Sequence, residues 1–240
     1  MSKFKKPAVD YRKLRPGNLN TEEFKHLKLL LFWPLYGFMF LFVERFYSVQ
    51  FYTAIYCPLD EWIPFNEWFV IPYMFWFVYL TGSIVYTLFY DIEAFKKMSK
   101  FIIFTYSITI AIYLIWPTCQ ELRPISFERD NVLTRFMRAF YEFDTNTNVC
   151  PSLHVIGSFA AMYGLGNSKS FGSRRWKMVN IVITMLISLS TVFLKQHSIL
   201  DVFAALPLCF AGWWLFVREK RRESIKFRRN QIDTLQSESK

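Results

Sequence analysis

Trp68–Tyr90 reads WFVIPYMFWFVYLTGSIVYTLFY, 23 residues without one Asp, Glu, Lys or Arg. A helix needs roughly 20 predominantly apolar residues to cross the hydrocarbon core of a bilayer, so this stretch is long enough to span it. Directly after it, Asp91–Lys100 (DIEAFKKMSK) carries three lysines and reads as a short polar link. Working outward gives five further apolar runs: Leu27–Val43, Phe101–Trp116, Ser152–Leu165, Met178–Leu194 and Ile199–Val217. The expected fold is all-α, an integral-membrane six-helix bundle. Ser152–Leu165 is short for a span, so it is expected to begin in a polar outer cavity or in locally thinned bilayer. The chain then divides into a basic N-terminal segment (residues 1–26), a six-span membrane domain (27–217) and a basic tail (218–240).

Composition agrees with this reading. Of 240 residues, 53% are hydrophobic and 20% aromatic, which is more than a soluble domain of this size needs to fill its core. A net charge of +10 on such a chain fits either a nucleic-acid binder or a membrane protein with a basic face. The positions of the charges decide. Of 29 Lys and Arg, 23 lie in residues 1–28, the Asp91–Lys100 and Asn167–Lys177 links and the tail, and only six on the opposite side. The positive-inside rule places both termini in the cytoplasm. The cluster Arg218–Arg229, directly after a span, reads as an orientation signal or a contact with anionic lipid, not as a nucleic-acid patch. Residues 1–28 are too polar and too long for the n-region of a cleavable signal. Four cysteines without C-x-x-C spacing exclude a disulfide scaffold and a structural zinc site.

The outer connections carry their own pattern. Asp60, Glu61, Trp62, Glu67 and Trp68 form an aromatic, acidic interfacial segment between the first two spans. Between spans three and four, Asn131–Phe143 places Val132, Leu133, Phe136, Met137 and Phe140 on one helical face, with Arg135, Arg138 and Glu142 opposite. This predicts a short helix lying in the outer interface. Cys57, Cys119 and Cys150 also fall outside, where Cys119 and Cys150 either bridge across the intervening loop or remain free thiols. Asp144, Asn146 and Asn148 are turn and cap residues or head-group contacts.

Chemistry concentrates in a few residues. His26 sits in the basic segment before the first span, whereas His154 and His197 both lie at outer ends of spans, where ionisable groups are costly and usually functional. Asp201 follows His197 at i+4, a helical spacing that lets the carboxylate accept from one ring nitrogen and leaves the other free as a nucleophile or ligand. The same spacing also serves a purely structural buried pair. A metal site is disfavoured, because no third ligand accompanies His154 and Asp201. Pro151-Ser152 opens a helix whose first-turn amides, with the Ser152 hydroxyl, suit a phosphate. Arg123 and Lys195 supply outer cations that either grip a phosphoryl group or snorkel to the interface.

Arg123-Pro124, Pro151-Ser152-Leu153-His154 and Ser190…His197-Ser198-Ile199-Leu200-Asp201 resemble the three motifs of the type-2 phosphatidic acid phosphatase superfamily, from Trp116 to Val217. The resemblance implies that His197 is the nucleophile, Asp201 its orienting partner and His154 the proton donor to the leaving alkoxide. Arg123, Lys195 and Ser152 would hold the phosphoryl oxygens, with no metal and no other cofactor. It implies a membrane lipid as substrate, the bilayer as the setting, an outward-facing site and no nucleic-acid partner; it leaves the oligomeric state open. Two positions depart from the pattern, since Trp116 and Thr191 stand where the family has Lys and Arg. On a continuous helix Lys195, four residues after Thr191, would reach the place of that missing arginine. Leu153 is similar to the inositol-phosphorylceramide and sphingomyelin synthase branch, which passes a phosphoryl head group to a lipid alcohol. A third reading is a non-catalytic lipid-binding or transport protein, disabled by the two lost cations.

Overall fold

A computed structural model describes residues 6–216, so the tail assigned to 218–240 and the first five residues lie outside the described residues. The chain is mostly helical. A 3-10 segment, Lys25–Leu31, leads into α1 (Phe32–Arg45), and the connection after it holds β1 (Thr53–Ala54) and α2 (Leu59–Trp62). Another 3-10 turn, Glu67–Phe69, opens α3 (Val70–Tyr90), which is followed by α4 (Ile92–Ile115), β2 (Thr118–Cys119), α5 (Val132–Phe143), α6 (Leu153–Gly166), α7 (Arg174–Phe193) and α8 (Ile199–Phe216).

Among the described residues, five helices are long and apolar enough to cross a membrane: Lys25–Arg45, Glu67–Tyr90, Ile92–Ile115, Arg174–Phe193 and Ile199–Phe216. The remaining expected span is α6, only 14 residues. At 1.5 Å per residue it is roughly 21 Å long, well short of a 30 Å hydrocarbon core. Asp91–Lys100 is not a link. Asp91 alone separates α3 from α4, its carboxylate accepting the Ala94 amide at 3.2 Å, and the helix runs on with Phe95 and Met98 fully buried. The basic residues that looked like loop therefore ride on the end of α4. Likewise α7 starts at Arg174, where the Ser173 side chain caps it, four residues before the expected Met178.

The short helix α6 is the hub, packing against α3, α4 and α7. Val155, Ile156, Ala160 and Ala161 are fully buried in the main core with Met98, Phe101, Tyr106 and Ile187. Two glycines permit its close approach. A Cβ at Gly157 would lie 2.6 Å from Tyr106 Oη and 2.9 Å from Trp76 Cζ2, and one at Gly164 would lie 2.5 Å from Met98 Sδ. Small residues at such crossings let helices pack by direct van der Waals contact.

Above this core, β1 and β2 pair in parallel, Thr53 opposite Thr118 and Ala54 opposite Cys119. Thr118 then ties down the approach to α6. Its carbonyl accepts the Asn148 amide at 2.5 Å, and its hydroxyl accepts the amides of Val149 and Cys150, both at 3.1 Å. The cysteines are free, so the connection that a Cys119–Cys150 bridge would have made is made by Thr118 instead. Burial and the neighbouring Asp201 carboxylate push the Cys150 thiol up to about 12, which keeps it protonated and unreactive. Helix α5 packs beside the Glu67–Phe69 turn that opens α3. Met137 is fully buried against Val70, Tyr73 and Leu194, while Val132, Phe136 and Phe143 are exposed. The expected single apolar face is thus divided between protein and surroundings.

Candidate active site

Two histidines meet where α6 and α8 begin. The rings of His154 and His197 are 5.7 Å apart, centroid to centroid, at 66°. Both line a cavity of about 70 Å³, together with Glu44, Tyr113, Asp144, Asn148, Leu153 and Gln196. Tyr73 and Trp76 pack against His154 with tilted rings, each with a centroid separation of 4.5 Å, and its Nε2 is buried without a hydrogen-bond partner.

His197 Nδ1 lies 3.1 Å from Asp201 Oδ2, which leaves Nε2 uncommitted. The pair does not arise from two turns of one helix, because His197 precedes α8 and only Asp201 is within it. It arises from a helix start. Ser198 is the N-cap, and Asp201, three residues on, reaches back so that Oδ2 also accepts the Ser198 amide at 3.0 Å. Asp201 is fully buried, and its main-chain carbonyl accepts the Ser152 amide at 3.1 Å, coupling the starts of α6 and α8.

Ser152 is the N-cap of α6, with its hydroxyl buried and unpartnered. Pro151 therefore stands before the helix and not in its first turn as expected; a cis peptide joins it to Cys150, and Tyr113 Oη donates to its carbonyl at 2.8 Å.

Arg123 and Lys195 are placed differently from a pair of free phosphate clamps. Arg123 Nη1 donates to the carbonyls of Tyr141 at 3.0 Å and Asp144 at 2.8 Å. Its Nη2 donates to the Thr145 carbonyl at 2.9 Å and to Gln196 Oε1 at 2.6 Å. The guanidinium thus satisfies the C-terminal end of α5, where carbonyls lack helical partners. Only Nε remains unpartnered.

Lys195 does not continue α7. The helix stops at Phe193, and Lys195 takes a left-handed conformation with φ 53°. The Lys195 amide donates to the Val192 carbonyl at 3.0 Å and the Gln196 amide to the Thr191 carbonyl at 2.9 Å, the two bonds of a Schellman termination. Lys195 Nζ donates to the Asp60 main-chain carbonyl at 2.5 Å. The helical projection that would have carried Lys195 into the place of a missing arginine is therefore absent. Thr191 is buried, and its carbonyl holds both the Gln196 and His197 amides. Trp116, at the other departure, donates its indole N–H to Thr53 Oγ1 at 2.9 Å.

Several site residues escaped the sequence reading. Glu44, at the C-terminal end of α1, accepts from the hydroxyls of Thr145 and Thr147 and from Asn148 Nδ2, the last at 2.7 Å. It organises the segment leading into Pro151. An ionisable residue closing an apolar run carries the same signal that drew attention to the histidines. Gln196 bridges Arg123 to Asp144, donating from Nε2 to Asp144 Oδ2 at 3.3 Å. Of the Asp144, Asn146 and Asn148 group, Asn146 is a loop brace, its Nδ2 donating to the Gln120 carbonyl at 2.7 Å, whereas Asp144 and Asn148 line the cavity. Among the described residues, no group of three or more His, Cys, Asp or Glu side chains is placed to hold a metal ion.

The sequence model of a protein family described as the PAP2 superfamily matches residues 100–224, a span that includes both histidines and Asp201. No curated protein and no solved structure matches the chain.

Proposed function

The chain belongs to the PAP2 superfamily, the type-2 phosphatidic acid phosphatases and their relatives, and from that membership we propose that it is an integral-membrane lipid phosphatase. Members of the superfamily are generally phosphatases or phosphotransferases. In this reading the substrate is a lipid phosphomonoester or pyrophosphate, cleaved at the outer face through a phosphohistidine on His197. The helix α6 is the fourth and shortest of six spans, α5 lies in the outer interface, and both termini face the cytoplasm. The basic excess on the cytoplasmic side supports that orientation.

The observation that carries the reading is the His197–Asp201 bond with His154 across the cavity. Asp201 fixes the tautomer of His197 with hydrogen on Nδ1, which leaves the Nε2 lone pair to attack phosphorus. As the new N–P bond forms, the P–O bond to the lipid breaks and His154 gives its proton to the departing oxygen. Water then enters, His154 takes a proton from it, and the N–P bond breaks to release phosphate. Asp201 balances the positive charge on His197 in the intermediate. Positioning and charge stabilisation account for most of the rate in phosphoryl transfer. The uncommitted buried donors among the expected phosphate ligands are Ser152 Oγ and Arg123 Nε, which we assign to the phosphoryl oxygens.

Purified protein in detergent, given radiolabelled phosphatidate or prenyl diphosphate with and without diacylglycerol or ceramide, tests the assignment. The expected result is free phosphate without any added acceptor, abolished in His197→Ala. Label that moves only into a second lipid would replace the phosphatase with a phosphotransferase.

A further inference from the structure

Asp60 belongs to the first outer connection, 137 residues before His197, yet it is fully buried against the loop that carries His197. Its carboxylate accepts three hydrogen bonds. Oδ1 accepts the Ile199 amide at 2.8 Å, and Oδ2 accepts the Ser198 hydroxyl at 2.5 Å and the Cys57 amide at 2.9 Å. The Asp60 carbonyl takes Lys195 Nζ. One residue thus grips the His197 loop at three points, Lys195 before the histidine and Ser198 and Ile199 after it.

This arrangement completes the start of α8. The Ser198 amide goes to Asp201 Oδ2, the Ile199 amide to Asp60 Oδ1, the Leu200 amide to Ser198 Oγ at 3.2 Å and the Asp201 amide to the Ser198 carbonyl at 3.0 Å. The donors that a helix start leaves without internal partners are satisfied, one of them by a carboxylate from a distant segment. A buried carboxylate is tolerated only when its oxygens are met by donors in this way. Asp201 orients the His197 ring from inside α8, whereas Asp60 fixes α8 and the preceding loop to the rest of the outer face.

We infer that Asp60 is a positioning residue for His197. It acts through Ser198, Ile199 and Lys195 and touches neither the phosphoryl group nor the imidazole. Displacement of a reacting group by about 1 Å costs about 10²-fold in rate, with binding largely retained. Asp60→Asn keeps the shape but brings an NH2 group against either the Ile199 amide or the Cys57 amide, depending on which oxygen it replaces.

The inference rests on the phosphatase reading for its kinetic arm only. Wild type, Asp60→Asn, Ser198→Ala, the double variant and the neighbouring control Glu61→Gln would be assayed for phosphate release from phosphatidate micelles. Hydrogen–deuterium exchange would be followed in the same samples. The expected result is a fall of about 10²-fold in kcat for Asp60→Asn with KM little changed. The double variant should be no worse than the sum of the single losses in log kcat, and clearly less than it, because both changes break one network. Glu61→Gln should match wild type. Exchange should rise at Ser198, Ile199 and Leu200 in Asp60→Asn, with α3, α4 and α6 unchanged. Full kcat in Asp60→Asn, strictly additive losses, or a rise in exchange throughout the protein would each overturn the positioning role. If Asp60→Asn does not fold, Ser198→Ala alone carries the test, and unchanged kcat there overturns it. A wild type without phosphate release defeats the phosphatase reading, while the exchange arm still decides Asp60.

Discussion

His197 Nδ1 and Asp201 Oδ2 are 3.1 Å apart, and the same oxygen accepts the Ser198 amide at 3.0 Å. One carboxylate therefore caps α8 and meets the histidine ring, so the helix start and the proposed nucleophile are built together. Asp201→Asn should lower kcat by about 10⁴-fold, the loss seen when the orienting carboxylate of a histidine catalyst becomes an amide. That loss arises when the amide nitrogen faces Nδ1, which also removes the acceptor of the Ser198 N–H at a cost of about 1–3 kcal/mol. A kcat within tenfold of wild type would rule out the orienting role.

Lys195 occupies a left-handed position that glycine ordinarily fills, and its side chain holds the Asp60 carbonyl. Lys195→Ala loses that bond and keeps the strain, whereas Lys195→Gly loses the bond and relieves about 1 kcal/mol of it. The glycine variant should melt about 2–4 °C above the alanine variant, with both less active than wild type. Equal melting temperatures would show that the backbone strain is absent in solution.

Glu44 joins three side-chain donors in the segment before Pro151. Glu44→Ala strands them, for a loss of about 2 kcal/mol in stability, and Glu44→Gln, which keeps an acceptor, should lose less. Thermal melts in detergent check the order. An alanine variant as stable as wild type would remove Glu44 from the framework of the site.

Asp144 gives a pH dependence with a definite sign. Burial raises its carboxyl above the ordinary aspartate value, partly offset by Arg123. The folded state therefore binds this proton more tightly than the unfolded chain. The stabilisation is fully present below the ordinary value of about 4 and is lost as pH rises through the raised one. Melting temperature should decline over that window in wild type and stay flatter in Asp144→Asn. The same decline in both would assign it to another group.

The sequence exposes what is local. Apolar run length marks the helices, charge placement suggests the sides, and the Pro151–His154 and His197–Asp201 spacings locate the cavity. Three features have no local signature. Asp60 looks like any acid among Asp60, Glu61 and Glu67, because its partners Ser198 and Ile199 are far along the chain. The end of α7 is hidden because its left-handed residue is lysine and not glycine. Asp91 resembles a loop residue although it is the cap of a helix that starts immediately after it. Arg123 is a fourth case. Its type suits phosphate, and only the surrounding carbonyls of Tyr141, Asp144 and Thr145 reveal that most of its donors are already used.

The central claim is a covalent phosphoryl group on His197. Purified protein would be mixed with radiolabelled phosphatidate, quenched within the first turnover in strong base, digested and mapped by mass spectrometry. The account predicts a base-stable, acid-labile label on the peptide containing His197, absent in His197→Ala and formed more slowly in His154→Ala, which lacks the proton for the leaving alkoxide. Phosphate release with no label on the protein, or label on any residue other than His197, would contradict it.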